Sequence, residues 1–584
     1  MQTATALEDS VDAISPAVLS QSQSDRASRE MIPVDTADAD NSTKRSPLKI
    51  TLIMVALCCA VFLHALDNTI VTTALPTITA AFDLDAAYTW IGSTYLLGVA
   101  ASTMVWAKIS DVFGRKPIIL SANVCFFTGS LLAALSANFS MLVAARAIQG
   151  IGGAGVNVLA TICVGDLFSQ RNRGLYYGVI GGVWAVALSL GPVVGGSLTQ
   201  NVSWRWCFYI NLPLCAVVFV IVILLLDVNT PKTPFGKGIA AIDWVGAALS
   251  IGSTLMILLA LSFGGQAEPW NSATVICLVV FGFIGWILCF SWEACLAKYP
   301  LLPVSIFKQI PTLAVLVACF IQSYAFVASA YYLPLYFQAV LGATPILSGV
   351  YLLPTAVSIS VSSTATGVYM RKTGQYRTPI YAGFVLQTLG YGLFIDFDHT
   401  TNWTKIIVFQ IIGGLGVGFN FQAPMVALQA SVSPRELAMA TSAYNFMRNV
   451  SGAISVVIGQ TVFQNEMSKH QESLATILGP QLAAKLGGAG ASASTDLIRS
   501  LPSPQRDVVH AVFTNSMKSM WIMYAAFSAV ALVVCPFLGK KVLREDHTET
   551  VTGLAAENAA REERLRKESE KREKRTATIQ KCQA

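Results

Sequence analysis

Residues 150–157 read Gly150-Ile-Gly-Gly153-Ala-Gly155-Val-Asn157, and residues 413–420 read Gly413-Gly-Leu-Gly416-Val-Gly418-Phe-Asn420. Three glycines and an asparagine recur at identical spacing, each set inside a long apolar block. Small residues spaced in this way let helices approach closely. A weaker echo links Asp111, Gly114 and Arg115 to Arg371, Gly374 and Arg377. The chain therefore repeats itself in two halves of the same orientation. Parallel halves around a midplane site are a secondary-transporter architecture.

The surrounding sequence is that of a membrane protein. Of 584 residues, 54% are apolar and only 12% charged, where soluble domains carry roughly 25% charged residues. Mean hydropathy is +0.58. Fourteen apolar blocks, each near the ~20 residues that cross a bilayer, run from 50–72 to 517–538. The expected fold is an all-α membrane protein with 14 transmembrane helices. Two six-helix bundles occupy 49–228 and 312–540, and an inserted two-helix hairpin lies within 229–311. Residues 1–48 read as a disordered cytoplasmic tail, and 541–584 as a charged cytoplasmic tail. The polar stretch 465–515 reads as a long extracellular loop. Basic residues gather in alternate short loops, among them Lys108, Arg115, Lys116, Arg171, Arg371 and Arg377, which puts both ends in the cytoplasm. Asn402-Trp-Thr404 is a glycosylation candidate on the outer side.

Several classes are excluded. A net charge of +6 is loop bias, not a nucleic-acid footprint, and the 12 cysteines form no CxxC pair or ligand cluster. No metal and no cofactor is expected, and no catalytic cluster suggests an enzyme. No GxxxxGK[ST] is present, so the energy source must be an ion gradient.

Intramembrane polar residues mark the candidate site. Asp67 closes the first apolar block, followed by Asn68, and a carboxylate there is a functional signal. Arg146, Gln149, Gly153 and Asn157 share one helical face. Arg448 is a second buried cation, either structural or facing cargo. Asp111, Gly114, Arg115 and Lys116 form a loop with the turn and charge pairs a gate needs. Gly191-Pro192-Val-Val-Gly195-Gly196 predicts a helix kink with close packing.

Together these stretches resemble the major facilitator superfamily, and more narrowly its fourteen-helix drug:proton antiporter branch. The Asp67-to-Pro76 stretch is similar to that branch's first-helix signature, and Asp111–Lys116 to the superfamily's loop signature, with Ala107 replacing the usual leading Gly. Arg146-Ala-Ile-Gln149-Gly150 is similar to the proton-coupling motif, and Gly191–Gly196 to the antiporter motif. The segment Trp204–Pro213 also resembles that branch, and the 465–515 loop resembles its fungal members, which are often efflux pumps.

The resemblance implies proton-coupled export of an amphipathic small organic compound by alternating access. Asp67 would be the proton carrier and Arg146 its modulator. The cavity would be lined by Asn68, Gln149, Asn157, Gln322, Tyr324, Tyr331, Asn420, Gln422 and Arg448. The implied partners are a small-molecule substrate, protons and the lipid bilayer. The implied state is a monomer in the plasma membrane, with the vacuolar membrane as the alternative. Two rivals remain open: an importer or vacuolar exchanger of siderophores or basic amino acids, and a nutrient sensor that does not transport.

Overall fold

The computed structural model describes residues 46–546 apart from 72, 83–86, 227–230, 232, 265–267, 303–304, 400–401 and 487–494, together with scattered later positions up to 569. The chain divides at Thr51, and of Met1–Thr51 only 46–51 are described. The fold proper is Leu52–Ala584.

Fourteen long helices fill the fourteen expected blocks. In the first half they are α1 (Pro47–Ile70), α2 (Ala87–Phe113), α3 (Arg115–Ala134), α4 (Phe139–Leu167), α5 (Gln170–Asn201) and α6 (Asn211–Leu225). The inserted hairpin is α7 (Trp244–Phe263) and α8 (Ala273–Cys295). The second half holds α9 (Ile310–Ala339), α10 (Leu353–Thr373), α11 (Arg377–Phe394), α12 (Trp403–Ser431), α13 (Leu437–Lys469) and α14 (Ser503–Val534).

Among the described residues twelve helices are long and apolar enough to cross a bilayer, and α11 and α13 fall outside that set. The polarity of α13 is spent inside the protein. Its Ser451 and Ser455 hydroxyls donate to the Phe320 and Tyr324 carbonyls of α9, each at 2.5 Å. In return α9 Ser323 donates to the Arg448 carbonyl at 2.9 Å and Tyr332 to that of Val456 at 2.6 Å. Side-chain bonds thus zip the two helices together, and hydropathy alone undercounts α13.

The stretch expected as a polar loop over 465–515 is mostly helix. Helix α13 continues to Lys469 and α14 starts at Ser503, with Gln471–Leu478, Pro480–Leu486 and Thr495–Ser500 between them. Buried Leu474, Leu478, Ala483, Ile498 and Leu501 anchor these short helices to the second half's core. Serine, threonine and glycine masked that apolar stripe.

Both halves pack on glycine in equivalent ways, but one residue out of the register that the sequence repeat suggests. In α4 a Cβ on Gly150 would fall 2.3 Å from the Tyr95 oxygen of α2, and one on Gly152 2.2 Å from the Phe126 nitrogen of α3. In α12 a Cβ on Gly414 would fall 2.8 Å from the Thr355 oxygen of α10, and one on Gly416 2.2 Å from the Gln387 nitrogen of α11. The echoed loops each turn on a glycine with positive φ, which glycine adopts without strain, but with different ψ: Gly114 at φ 93°, ψ 159° and Gly374 at φ 70°, ψ 9°.

The halves meet chiefly along α5 and α10, again through glycine. A Cβ on Gly178 would lie 2.7 Å from the Ser363 carbonyl, and one on Gly367 2.4 Å from that of Gly174. At the basic end, Gln429 of α12 donates to the Tyr177 hydroxyl of α5 at 2.9 Å. Arg171 donates to the Arg371 and Lys372 carbonyls. The segment after α14 crosses this end. The Leu543 amide donates to the Gly374 carbonyl, Arg171 to that of Arg544, and Gly553 to that of Asp111. Arg171 also pairs with Glu545. The α7–α8 hairpin packs on α2 and α13 and turns Phe281, Phe283, Ile287 and Leu288 outward, an apolar face suited to lipid.

Candidate functional site

Asp67 sits in the last turn of α1 and Arg146 in the second turn of α4, and the fold brings them together. Arg146 Nη1 is 2.5 Å from Asp67 Oδ2. The other carboxylate oxygen accepts from Gln149 Nε2 at 2.8 Å and Asn211 Nδ2 at 3.2 Å. Arg146 also donates to Gln149 Oε1 at 2.7 Å and to the Ile91 carbonyl at 3.2 Å. Gln149 Nε2 reaches Ser130 Oγ at 2.9 Å. All five side chains are buried. Gly129 makes room for this, since a Cβ there would lie 2.4 Å from the Gln149 nitrogen.

From this centre an aromatic path crosses the molecule. The Arg146 guanidinium lies over the Tyr95 ring at 4.4 Å. Tyr95 Oη is 2.8 Å from His64 Nδ1. His64 stands edge-on to Trp184 at 5.8 Å, and Trp184 meets Phe421 of the second half at 6.3 Å. Arg448 lies over Phe421 at 4.0 Å and faces Trp184 at 5.4 Å.

Other expected cavity residues divide. Gln322 and Gln422 are buried and keep polar atoms without a partner. Asn157 is half-buried, and Asn68 donates to the His64 carbonyl of its own helix. Tyr331 is 52% exposed. Two leave the expected set. Tyr324 packs into the α9–α14 contact, stacked on Phe527 with its hydroxyl against Met523 Sδ. Asn420 spends its amide on the α11 backbone, at 3.1 Å from the Ile380 oxygen and 3.0 Å from the Phe384 nitrogen. The even spacing of polar residues along α9 and α12 cannot tell an inward face from a helix contact.

The loop residues form a triad within the first half. Fully buried Arg115 pairs with Asp111 at 2.6 Å and Asp166 at 2.8 Å, and donates to Ser110 Oγ at 2.7 Å. It ties α2, α3 and α4 together. Lys116 donates to the Ile223 carbonyl of α6. The α5 motif packs against the end of α1. A Cβ on Gly191 would fall on Thr69 Oγ1, and one on Gly195 2.1 Å from the Ile70 oxygen. Pro192 stays inside an unbroken helix, and a Cβ on Gly196 would face Ile346 at 3.0 Å. Asn402 is exposed and caps α12, its side-chain oxygen accepting from the Lys405 amide.

Sequence reasoning passed over Ser130, Asn211, Tyr95, His64, Trp184 and Phe421. His64, three residues before Asp67 in an apolar block, and Asn211 at the head of another carried a readable signal. The aromatics carried none, because membrane spans are rich in them.

A repeated helical pair of halves, sealed to each other at one end and enclosing buried charge, defines a polytopic membrane transporter rather than an enzyme. Residues 57–456 match the Major Facilitator Superfamily, and the chain belongs to that family. It is 90% identical over the full length of both chains to "MFS-type transporter ppz2" of Metarhizium majus. It is 49% identical to "Efflux pump dotC" of Dothistroma septosporum, over 90% of each chain. The human organic anion transporter MFSD10 superposes with a TM-score of 0.52 at 15% identity, covering 84% of this chain and all of that one, a likeness of fold.

Proposed function

We propose that this protein exports an amphipathic small organic compound in exchange for protons, by alternating access between its two halves. The observation that carries the coupling is the buried Asp67, the one carboxylate in contact with Arg146 among the described residues. Arg146 cannot lose its proton in a protein. Asp67 can gain one, and doing so removes the charge that holds the pair together. The Gln149 and Asn211 amides then remain as neutral partners, so the carboxyl stays bonded in either state. Conformational change that separates α1 from α4 at this point would link proton uptake to the opening of one side. Export agrees with the relative named an efflux pump. A monomer in the plasma membrane is the setting this reading supposes.

The test is transport by purified protein in vesicles under an imposed pH gradient. Asp67→Asn should bind cargo and still equilibrate it, but lose uphill accumulation. A mutant that concentrates cargo as well as the parent would remove Asp67 from the coupling step.

A further inference from the structure

Buried Arg146 and Arg115 and half-buried Arg448 are satisfied in different ways. Arg146 and Arg115 each meet carboxylates at hydrogen-bond distance. Arg448 meets rings instead. Its guanidinium carbon is 4.0 Å from the Phe421 centroid and 5.4 Å from that of Trp184. Its Nη2 is sealed from solvent without a hydrogen-bond partner, and no carboxylate pairs with it among the described residues. An intramembrane cation left with an unused donor is costly unless a ligand completes it.

Further unused polar atoms stand close by. Gln322 of α9 is fully buried, and both its amide nitrogen and its oxygen lack partners. It shares a helix face with Phe326, one turn on, whose ring stands edge-on to Phe421 at 5.4 Å. Ser323, its neighbour, binds the Arg448 carbonyl at 2.9 Å. Gln422, adjacent to Phe421, also has a buried oxygen without a partner. The site thus offers one fixed positive charge, an amide donor, and aromatic surface from both halves of the protein.

We infer that Arg448, with Gln322, Trp184 and Phe421, recognises an organic anion: a carboxylate or ionised enol on a flat conjugated skeleton. This rests on the export reading above and names its cargo class. A single cation matches a single negative charge, whereas a phosphate dianion calls for more donors and charge than the site holds. A cationic cargo would meet Arg448 as a like charge. Phe421 lies over one face of the guanidinium with Trp184 to its side, and Nη2, which no protein group takes, is left for the ligand. Because Trp184 belongs to α5 and Phe421 and Arg448 to the second half, a bound anion would touch both halves at once. Cargo and conformation would then be coupled through one set of contacts.

The test is equilibrium binding to purified protein without any gradient, using 2-naphthoate and its neutral analogue 2-naphthamide. Wild type should bind the anion about tenfold more tightly than the amide, equivalent to one charge-assisted contact. Arg448→Gln should bring the two within about twofold by weakening the anion alone, while Arg448→Lys keeps most of the preference. Equal binding of the pair by wild type, no binding of the anion, or a preference that survives Arg448→Gln would overturn the assignment. The wild-type comparison decides the matter even if Arg448→Gln fails to fold. Since no proton gradient enters, a failure of proton-driven export would leave this result standing, and the two readings fail separately.

Discussion

Arg146 and Asp67 stand 2.5 Å apart on two different helices, and neither side chain reaches solvent. Each depends on the other to a different degree. Without Arg146, Asp67 would keep the Gln149 and Asn211 amides and could be neutralised by a proton. Without Asp67, Arg146 would keep its charge with only the Ile91 carbonyl, the Gln149 oxygen and the Tyr95 face. Asp67→Ala should therefore destabilise the folded protein by about 3–5 kcal/mol, as expected for an orphaned buried charge. Arg146→Ala should cost less, and the double mutant less than Asp67→Ala alone. Thermal unfolding of detergent-purified variants checks this order, and additive single effects would contradict it.

The α5 glycines should be intolerant of a methyl group. Gly191→Ala and Gly195→Ala both place a Cβ into Thr69–Ile70, one turn or less from Asp67. Each should lower both the folded fraction and transport. Gly252→Ala in α7, where a Cβ meets nothing within 4 Å, should be harmless or stabilise by about 0.5–1 kcal/mol. Equal effects at the three positions would show that α5 does not need this closeness.

Within the loop triad, Asp111→Asn should leave the amount of folded protein unchanged, because Arg115 retains Asp166 at 2.8 Å. It should impair export by freeing the α2–α3 turn. Arg115→Met leaves two carboxylates facing each other's charge and should reduce folded protein at the membrane. Normal export by Asp111→Asn, measured at matched protein levels, would make the triad purely architectural.

Topology is open to a direct labelling test. Gly479 has a φ of 83° and open space at its Cβ, so an epitope inserted after it should not disturb the fold. It should be labelled on intact cells, and tags at either end of the chain only after permeabilisation. A protected tag at Gly479 would reverse the orientation derived from the basic loops.

Much of this was legible from residues 50 to 540. The helix count and the inserted hairpin follow from apolar blocks, and the glycine-rich spans point to close packing in both halves, although the packing pairs them one residue out of the sequence register. The Asp67–Arg146–Gln149 cluster was readable because charge inside a span has to be compensated. Ser130 was not, for it looks like an ordinary span-end polar residue until α3 is placed. Tyr324 and Asn420 show the opposite failure, since a polar residue in a span faces a cavity or a neighbouring helix with the same letter. The short helices of 470–502 were hidden for a third reason: their apolar residues are spaced too sparsely among serine, glycine and alanine to read as an amphipathic face.

The segment beyond α14 has a kinetic consequence. Between Gly539 and Gly553 it is bonded to Tyr376 and Gly374 on one half and to Arg171 and Asp111 on the other. Bonds formed in only one conformation lower the energy of that conformation alone. Any rocking motion that parts the halves at this end must peel the segment from at least one of them, so its release is part of the activation barrier. Chemistry on the tail that loosens or tightens these bonds would then shift the balance between conformations and the rate of exchange between them together.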